Sequence, residues 1–144
     1  MTTIARILAE KGRNVSATQP HRTIAEALGL LAAKNIGALV VADGDGGLIG
    51  ILSERDIVRA IGRDGAAVLQ EPVSKHMTAR VVTIDENECV VAALEKMTAR
   101  RFRHLPVLKD GRLIGLVSIG DIVKFRLEEM LQEHEAMKEY IASA

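Results

Sequence analysis

An eleven-residue stretch is written twice in this chain. Leu48-Ile49-Gly50-Ile51-Leu52-Ser53-Glu54-Arg55-Asp56-Ile57-Val58 returns, 65 residues later, as Leu113-Ile114-Gly115-Leu116-Val117-Ser118-Ile119-Gly120-Asp121-Ile122-Val123. Each copy is an apolar run, then Ser-x-x-Asp, then the apolar start of a new helix, so strand, turn and helix N-terminus are all legible. The repeat extends backwards at an offset of 66: Ala38-Leu39-Val40-Val41 matches His104-Leu105-Pro106-Val107, and Ile24, Leu28 and Leu31 match Val90, Leu94 and Met97. The one-residue change falls in a hairpin loop, where insertions cost least. Two copies of a unit longer than the usual solenoid repeat predict a paired motif whose halves share one core.

Punctuation between the apolar runs places the other elements. Residues 3–10 read as a short helix with Ile4, Ile7 and Leu8 on one face, ended by Lys11-Gly12. A short strand is predicted over Val15–Thr18, then a helix with Pro20 in its first turn running to about Lys34. Ala38–Ala42 and Leu48–Leu52 form a hairpin over Asp43–Gly47, followed by a helix from Arg55 to about Ile61. Gly62–Glu71 reads as a loop or loose helix. Val73–Met77 then repeats the opening helix, and Arg80–Ile84 the short strand. Asp85 with Glu88 reads as a capping box for a helix to about Arg101. His104–Leu108 and Arg112–Val117 form the second hairpin over Lys109-Asp110-Gly111, and the last helix starts near Ile119. Each half is thus β-α-β-β-α. The fold class is α+β: two such motifs packed about a pseudo-twofold axis, with an extended C-terminal helix. By sequence order the divisions are 1–71 (first motif with the opening helix), 72–126 (second motif) and 127–144 (helical tail).

Composition narrows the function classes. The 144 residues carry zero net charge, which points to neither a nucleic-acid nor a membrane surface. Aromatics are only Phe102, Phe125 and Tyr140, against base stacking on aromatic platforms. Cys89 is the single cysteine, so no intramolecular disulfide forms and a cytoplasmic location is expected. Cys89 is expected on an apolar helix face with Ala93 and Met97, as core. No secretory signal is read at the N-terminus, where Arg6, Glu10 and Lys11 interrupt it. Asp43, Asp45 and Glu54 sit at positions 1, 3 and 12 of a calcium-loop spacing, but Leu48 takes the place of the required glycine. No metal site, catalytic cofactor or catalytic residues are expected.

The element order, with Gly-h-h-Ser-x-x-Asp (h apolar) closing each half, resembles the cystathionine-β-synthase (CBS) domain family. Val73-Ser74-Lys75-His76-Met77-Thr78 looks like the family's opening segment, and Arg103-His104-Leu105-Pro106-Val107 like its second-strand signature. The resemblance covers roughly residues 4–126. A tandem pair of this kind, a Bateman module, implies a regulatory unit that binds adenosine-containing ligands in a cleft between its halves.

On that resemblance, Asp56 and Asp121 each accept both hydroxyls of a ribose, since a carboxylate offers two acceptor oxygens at a spacing that suits a vicinal diol. Ser53 and Ser118, with the free N–H groups of the helix start, are expected to meet phosphate oxygens, and Arg55 and Gly120 of the same turns are counted among the nucleotide-binding residues. The same Ser-x-x-Asp is also an ordinary helix cap. Arg103 and His104 sit where the family directs side chains into the cleft, and a guanidinium there suits phosphate. Gly37 and Ala38 hold the matching places in the first half, so the two sites are expected to be chemically unequal. The resemblance also implies crossed sites. Asp121 would share a ligand with Arg13, Asn14, Val15, Ile36, Gly37 and Ala38, and Asp56 with Arg80, Val81, Arg103 and His104. Adenine is expected between aliphatic side chains such as Val15, Val81, Ile51 and Leu116.

The expected function is therefore an adenine-nucleotide sensor in signal transduction, binding AMP, ADP, ATP or NAD and not itself an enzyme. Arg103 favours a phosphate-bearing ligand over S-adenosylmethionine. The rival readings are a protein–protein adaptor with weak or lost nucleotide binding and, last, an enzyme acting on the bound nucleotide. No fused effector domain is read in the sequence, so a separate effector protein is a possible partner. In the final helix Val123, Leu127, Met130, His134, Met137 and Ile141 follow alternating steps of four and three, an a/d heptad stripe that predicts a homodimer held partly by this tail. The same pattern also permits a helix packing back on its own core.

Overall fold

The computed structural model describes residues 2–143. Each repeat builds its own three-stranded sheet, so the architecture is α+β as expected. Contacts group the chain into two compact units: residues 14–82, and the chain up to Arg13 together with the chain from Thr83 onward.

In the unit of residues 14–82, β1 (Ala17–Thr18) pairs parallel to β2 (Ala38–Ala42), which pairs antiparallel to β3 (Leu48–Ser53) with Val40 opposite Ile51. Between them runs α2 (Ile24–Lys34); after β3 come α3 (Glu54–Asp64), a 3-10 turn (Ala66–Gln70) and the short α4 (Val73–His76). Ile24, Ala27 and Leu31 of α2, Leu39 and Val41 of β2, Leu52 of β3, and Ile57 and Ala60 of α3 form one buried cluster with Val68 and Val73. That is the helix face repeating at three and four residues meeting the strand face repeating at two. Three predicted boundaries move. Helix α3 runs on to Asp64 rather than ending near Ile61. Pro20 lies ahead of the helix in a turn closed by Arg22 N–H on the Gln19 carbonyl (3.2 Å), and the cap is Thr23, whose hydroxyl accepts from Glu26 N–H at 3.1 Å. The first strand shrinks to Ala17–Thr18, because only these residues register against β2, at Val40 and Val41.

The unit completed from Thr83 onward repeats this plan with α1 (Ile4–Lys11), β4 (Ile84–Asp85), α5 (Val90–Arg100), β5 (His104–Lys109), β6 (Arg112–Ser118) and α6 (Ile119–Ser143). Strand order is β4-β5-β6, parallel then antiparallel. Ile4, Leu8, Val90, Ala93, Met97, Leu105, Val107, Val117 and Ile122 are buried in it. The predicted strand over Arg80–Ile84 is instead Ile84–Asp85, the residues that register with Val107 and Leu108. The Asp85/Glu88 capping box closes a turn before the helix rather than the helix itself. Glu88 Oε2 accepts from Asp85 N–H, and Asp85 Oδ1 from Asn87 N–H, both at 2.9 Å. The actual cap is Cys89, half-buried, whose Sγ accepts from Ala92 N–H at 3.4 Å. Cys89 thus takes the place Thr23 holds in the other repeat, ahead of the helix and half-buried rather than in the core with Ala93 and Met97. The second hairpin turns at Asp110-Gly111, both at positive φ (51° and 76°), the combination a two-residue type I′ turn needs.

The short helices exchange places relative to sequence order. Helix α1 joins the second repeat: Ile4 N–H donates to the Glu88 carbonyl (3.0 Å) and Val90 N–H to the Thr2 carbonyl (3.0 Å). Helix α4 makes the same pair of bonds in the first repeat, Val73 N–H to Arg22 (2.7 Å) and Ile24 N–H to Glu71 (2.9 Å). Each thereby supplies acceptors to N–H groups that the start of α2 or α5 leaves unsatisfied. Gly50 and Gly115 let these segments approach. A Cβ on Gly50 would lie 2.6 Å from Met77 Sδ, and one on Gly115 2.7 Å from Leu8 Cδ2.

Candidate functional site

Both Ser-x-x-Asp turns are helix starts and both fold as caps. In the first, Ser53 N–H (2.9 Å) and Ser53 Oγ–H (3.1 Å) donate to Asp56 Oδ2, while Asp56 N–H returns a bond to Ser53 Oγ at 3.2 Å. In the second, Ser118 N–H donates to Asp121 Oδ2 at 2.8 Å and Asp121 N–H to Ser118 Oγ at 3.1 Å. Each turn is clamped to the hairpin beside it: Glu54 N–H donates to the Gly37 carbonyl (2.9 Å) and Ile119 N–H to the Arg103 carbonyl (2.8 Å). Of the helix-start donors offered to phosphate by the sequence, the first and third are therefore already engaged. The Arg55 and Gly120 N–H groups remain in the two turns. The capping bonds all fall on Oδ2 of the two aspartates. Each turn thus fixes its carboxylate through that oxygen.

The two carboxylates differ in one partner that the sequence reading missed. Lys11 Nζ donates to Asp121 Oδ2 at 2.6 Å and to the Leu116 carbonyl at 2.7 Å. In the other unit the matching carbonyl, that of Ile51, accepts instead from the backbone N–H of Thr78 at 2.9 Å. The lysine ammonium thus replaces a backbone bridge and at the same time neutralises the aspartate. The structure equates Ile4 with Val73 and Leu8 with Met77, which puts Arg80 in the place of Lys11. From sequence Lys11 reads only as a helix end. Burial works against the charge on Asp121, but the Lys11 ammonium and the Ser118 donors outweigh it and hold this carboxyl below its usual range.

That shift fixes a pH dependence. A lowered carboxyl stabilises the fold at pH values above the unfolded carboxyl range, about 3.9, and the contribution is lost as pH falls through the folded value. Lys11→Met should cost about 1 kcal/mol or less at pH 7, since the pair is partly exposed (38% and 25%). The difference from the parent should shrink when urea unfolding is repeated near pH 3. A gap that stays constant or widens on acidification would contradict the pairing.

The remaining predicted residues divide between the two units. Residues 14–82 contain Asn14, Val15, Ile36, Gly37, Ala38, Ile51, Ser53, Arg55, Asp56, Arg80 and Val81. The other unit contains Arg13, Arg103, His104, Leu116, Ser118, Gly120 and Asp121. Ala38 stands opposite Ser53 in its hairpin and His104 opposite Ser118 in the other, so the first strand residue flanks the turn in both. Arg103, Arg80 and Arg55 are exposed. Arg13 is engaged by the buried Glu86 at 3.3 Å, a carboxylate that also receives Lys109 at 3.3 Å. Asp43 Oδ1 accepts from Asp45 N–H (3.0 Å) and Gly47 N–H (2.8 Å), closing its own hairpin. A concavity of about 710 Å³ lies away from the Ser-x-x-Asp turns, between α2 and the ends of β1 and β2. Its charged lining is satisfied internally, with Arg22 on Glu26 at 3.1 Å and Asp43 on its own loop. None of the predicted site residues lines it. Among the described residues there is no cluster of metal-ligating side chains, and no helix long and apolar enough to cross a membrane.

The CBS domain family matches this chain over residues 5–63 and 73–128. A CBS-domain-containing protein from Agrobacterium tumefaciens has a crystal structure similar to this one, with TM-score 0.85 and 48% identity over 87% of this chain and 93% of that one. An uncharacterized 17.7 kDa protein from Acidianus ambivalens is 40% identical over 129 residues, 88% of this chain and 74% of its own length. The CBS domain pair of protein MJ0100 was crystallised with 5′-methylthioadenosine and S-adenosyl-L-methionine. It is 27% identical, with TM-score 0.80 over 90% of this chain and 98% of that one.

Proposed function

Because the chain belongs to the CBS-domain family and carries two of its repeats, we propose that it is a regulatory module binding an adenine nucleotide, AMP, ADP, ATP or NAD, and carrying no catalytic activity of its own. The observation that carries this reading is the pair of capped Ser-x-x-Asp turns, each holding a carboxylate in place by bonds to Oδ2. A carboxylate has a second acceptor oxygen, which suits hydroxyl donors such as those of a ribose. The adenosine ligands of the MJ0100 domain pair support the same ligand class.

Charge selects among adenosine ligands. Arg103 is exposed beside the second turn, and its guanidinium matches a phosphate. A ligand that needs both oxygens of Asp121 must replace Lys11, whereas at Asp56 it displaces only the Ser53 hydroxyl. The displaced ammonium then adds to the preference for an anionic ligand. Calorimetric titration of AMP and adenosine into the parent and Arg103→Ala tests this. AMP should weaken about tenfold, the worth of one charge-assisted hydrogen bond, and adenosine about twofold or less. Equal losses for the two ligands would remove Arg103 from the phosphate.

A further inference from the structure

Helix α6 carries two faces, and the protein's own unit covers one of them. Ile122 and Phe125 are buried and Arg126 and Glu129 partly so, which marks the side that lies on the unit. The heptad stripe lies about 100° around the helix from there. Its residues are exposed, from 47% at Val123 to 67% at Ile141. From Leu131 to Ser143 every residue is exposed. A helical segment of that length is marginal in water without a partner, and a continuous apolar seam marks an interaction surface.

We propose that α6 pairs with α6 of a second copy of this chain in a parallel, in-register two-stranded coiled coil. Charge selects both the occupant and the orientation. With Leu127, His134 and Ile141 at a and Val123, Met130 and Met137 at d, Glu133 falls at g and Lys138 at the following e. In a parallel pair g of one helix meets that e of its neighbour, so Glu133 faces Lys138 twice by symmetry. An antiparallel pair centred on the same seam sets g against g and brings the two Glu133 carboxylates together. Lys138 is available for this, since Glu135 on its own helix stands 3.9 Å away. Leu131 and Tyr140, exposed at the flanking e and g positions, widen the apolar strip. His134, the one polar residue at an a position, sets its imidazole against its own copy and so favours the in-register alignment over a slipped one.

The test uses the full chain, with light scattering coupled to size exclusion across a concentration series and a thermal melt for each variant. The parent should be a dimer. Met130→Glu with Met137→Glu should raise the dissociation constant about a hundredfold or more, because like charges are forced into the seam, while the variant keeps a cooperative melt, lowered by no more than the lost association accounts for. Glu133→Lys and Lys138→Glu should each weaken the dimer about two- to fivefold, and their combination should return it to within about twofold of the parent. A monomeric parent overturns the proposal, as does a Met130/Met137 variant that dimerises as tightly as the parent. A combined charge swap weaker than either single change overturns the parallel register.

Discussion

Replacing both Asp56 and Asp121 should abolish nucleotide binding. Asp56→Ala with Asp121→Ala removes the carboxylate from both turns, and each site should lose about a hundredfold or more in AMP affinity, two charge-assisted hydrogen bonds' worth. The alanines also strip the caps, leaving the Ser53 and Ser118 N–H groups without the acceptors they now have at 2.9 and 2.8 Å. Asp56→Asn with Asp121→Asn separates the two effects. An amide oxygen still accepts from the serine N–H, so the helix starts keep their caps, while the charge and one acceptor are gone. The asparagine pair should melt close to the parent and still bind AMP at least about tenfold more weakly. Calorimetry that returned the parent's affinity and stoichiometry for both pairs would reduce the turns to caps.

The second large effect concerns α1. Leu8 is fully buried and lies over Gly115. Leu8→Ala should lower the unfolding free energy by about 2–5 kcal/mol, the range for a buried leucine that leaves a cavity. Gly115→Ala alone overpacks the same place and should cost about 1–3 kcal/mol. The two changes compensate, because the new methyl group enters the space Leu8 vacates. The double variant should therefore be less destabilised than the sum by more than about 1 kcal/mol in urea unfolding. Additive losses would mean that Leu8 does not close over Gly115.

What the sequence made legible was local. The hairpins, the Ser-x-x-Asp turns and the long last helix follow from periods of two and 3.6 and from Asp-Gly and Ser-x-x-Asp chemistry within a few residues. The destination of α1 was not legible. Ile4, Ile7 and Leu8 announce an apolar face, but periodicity does not say which sheet that face covers. The answer lies in bonds from residues 2–5 to residues 86–90, far along the chain. The cap at Cys89 was hidden for a different reason. Asp85 and Glu88 form a sound local turn four residues early, and a thiol is a weak cap signal beside two carboxylates. At the candidate site the duplicated aspartates and serines could be read, as could the sequence difference between Arg103-His104 and Gly37-Ala38. Lys11 was missed because its contacts with Leu116 and Asp121 are more than a hundred residues away in sequence.

The central claim is that this module holds an adenine nucleotide. Native mass spectrometry of the freshly purified full chain, without added ligand and then with AMP, tests it most directly. The expected result is a bound mass matching an adenine nucleotide, at no more than two per chain, whose occupancy falls in the Asp56→Asn/Asp121→Asn variant. A parent chain that carries no such mass and gains none when AMP is added at millimolar concentration would contradict the account.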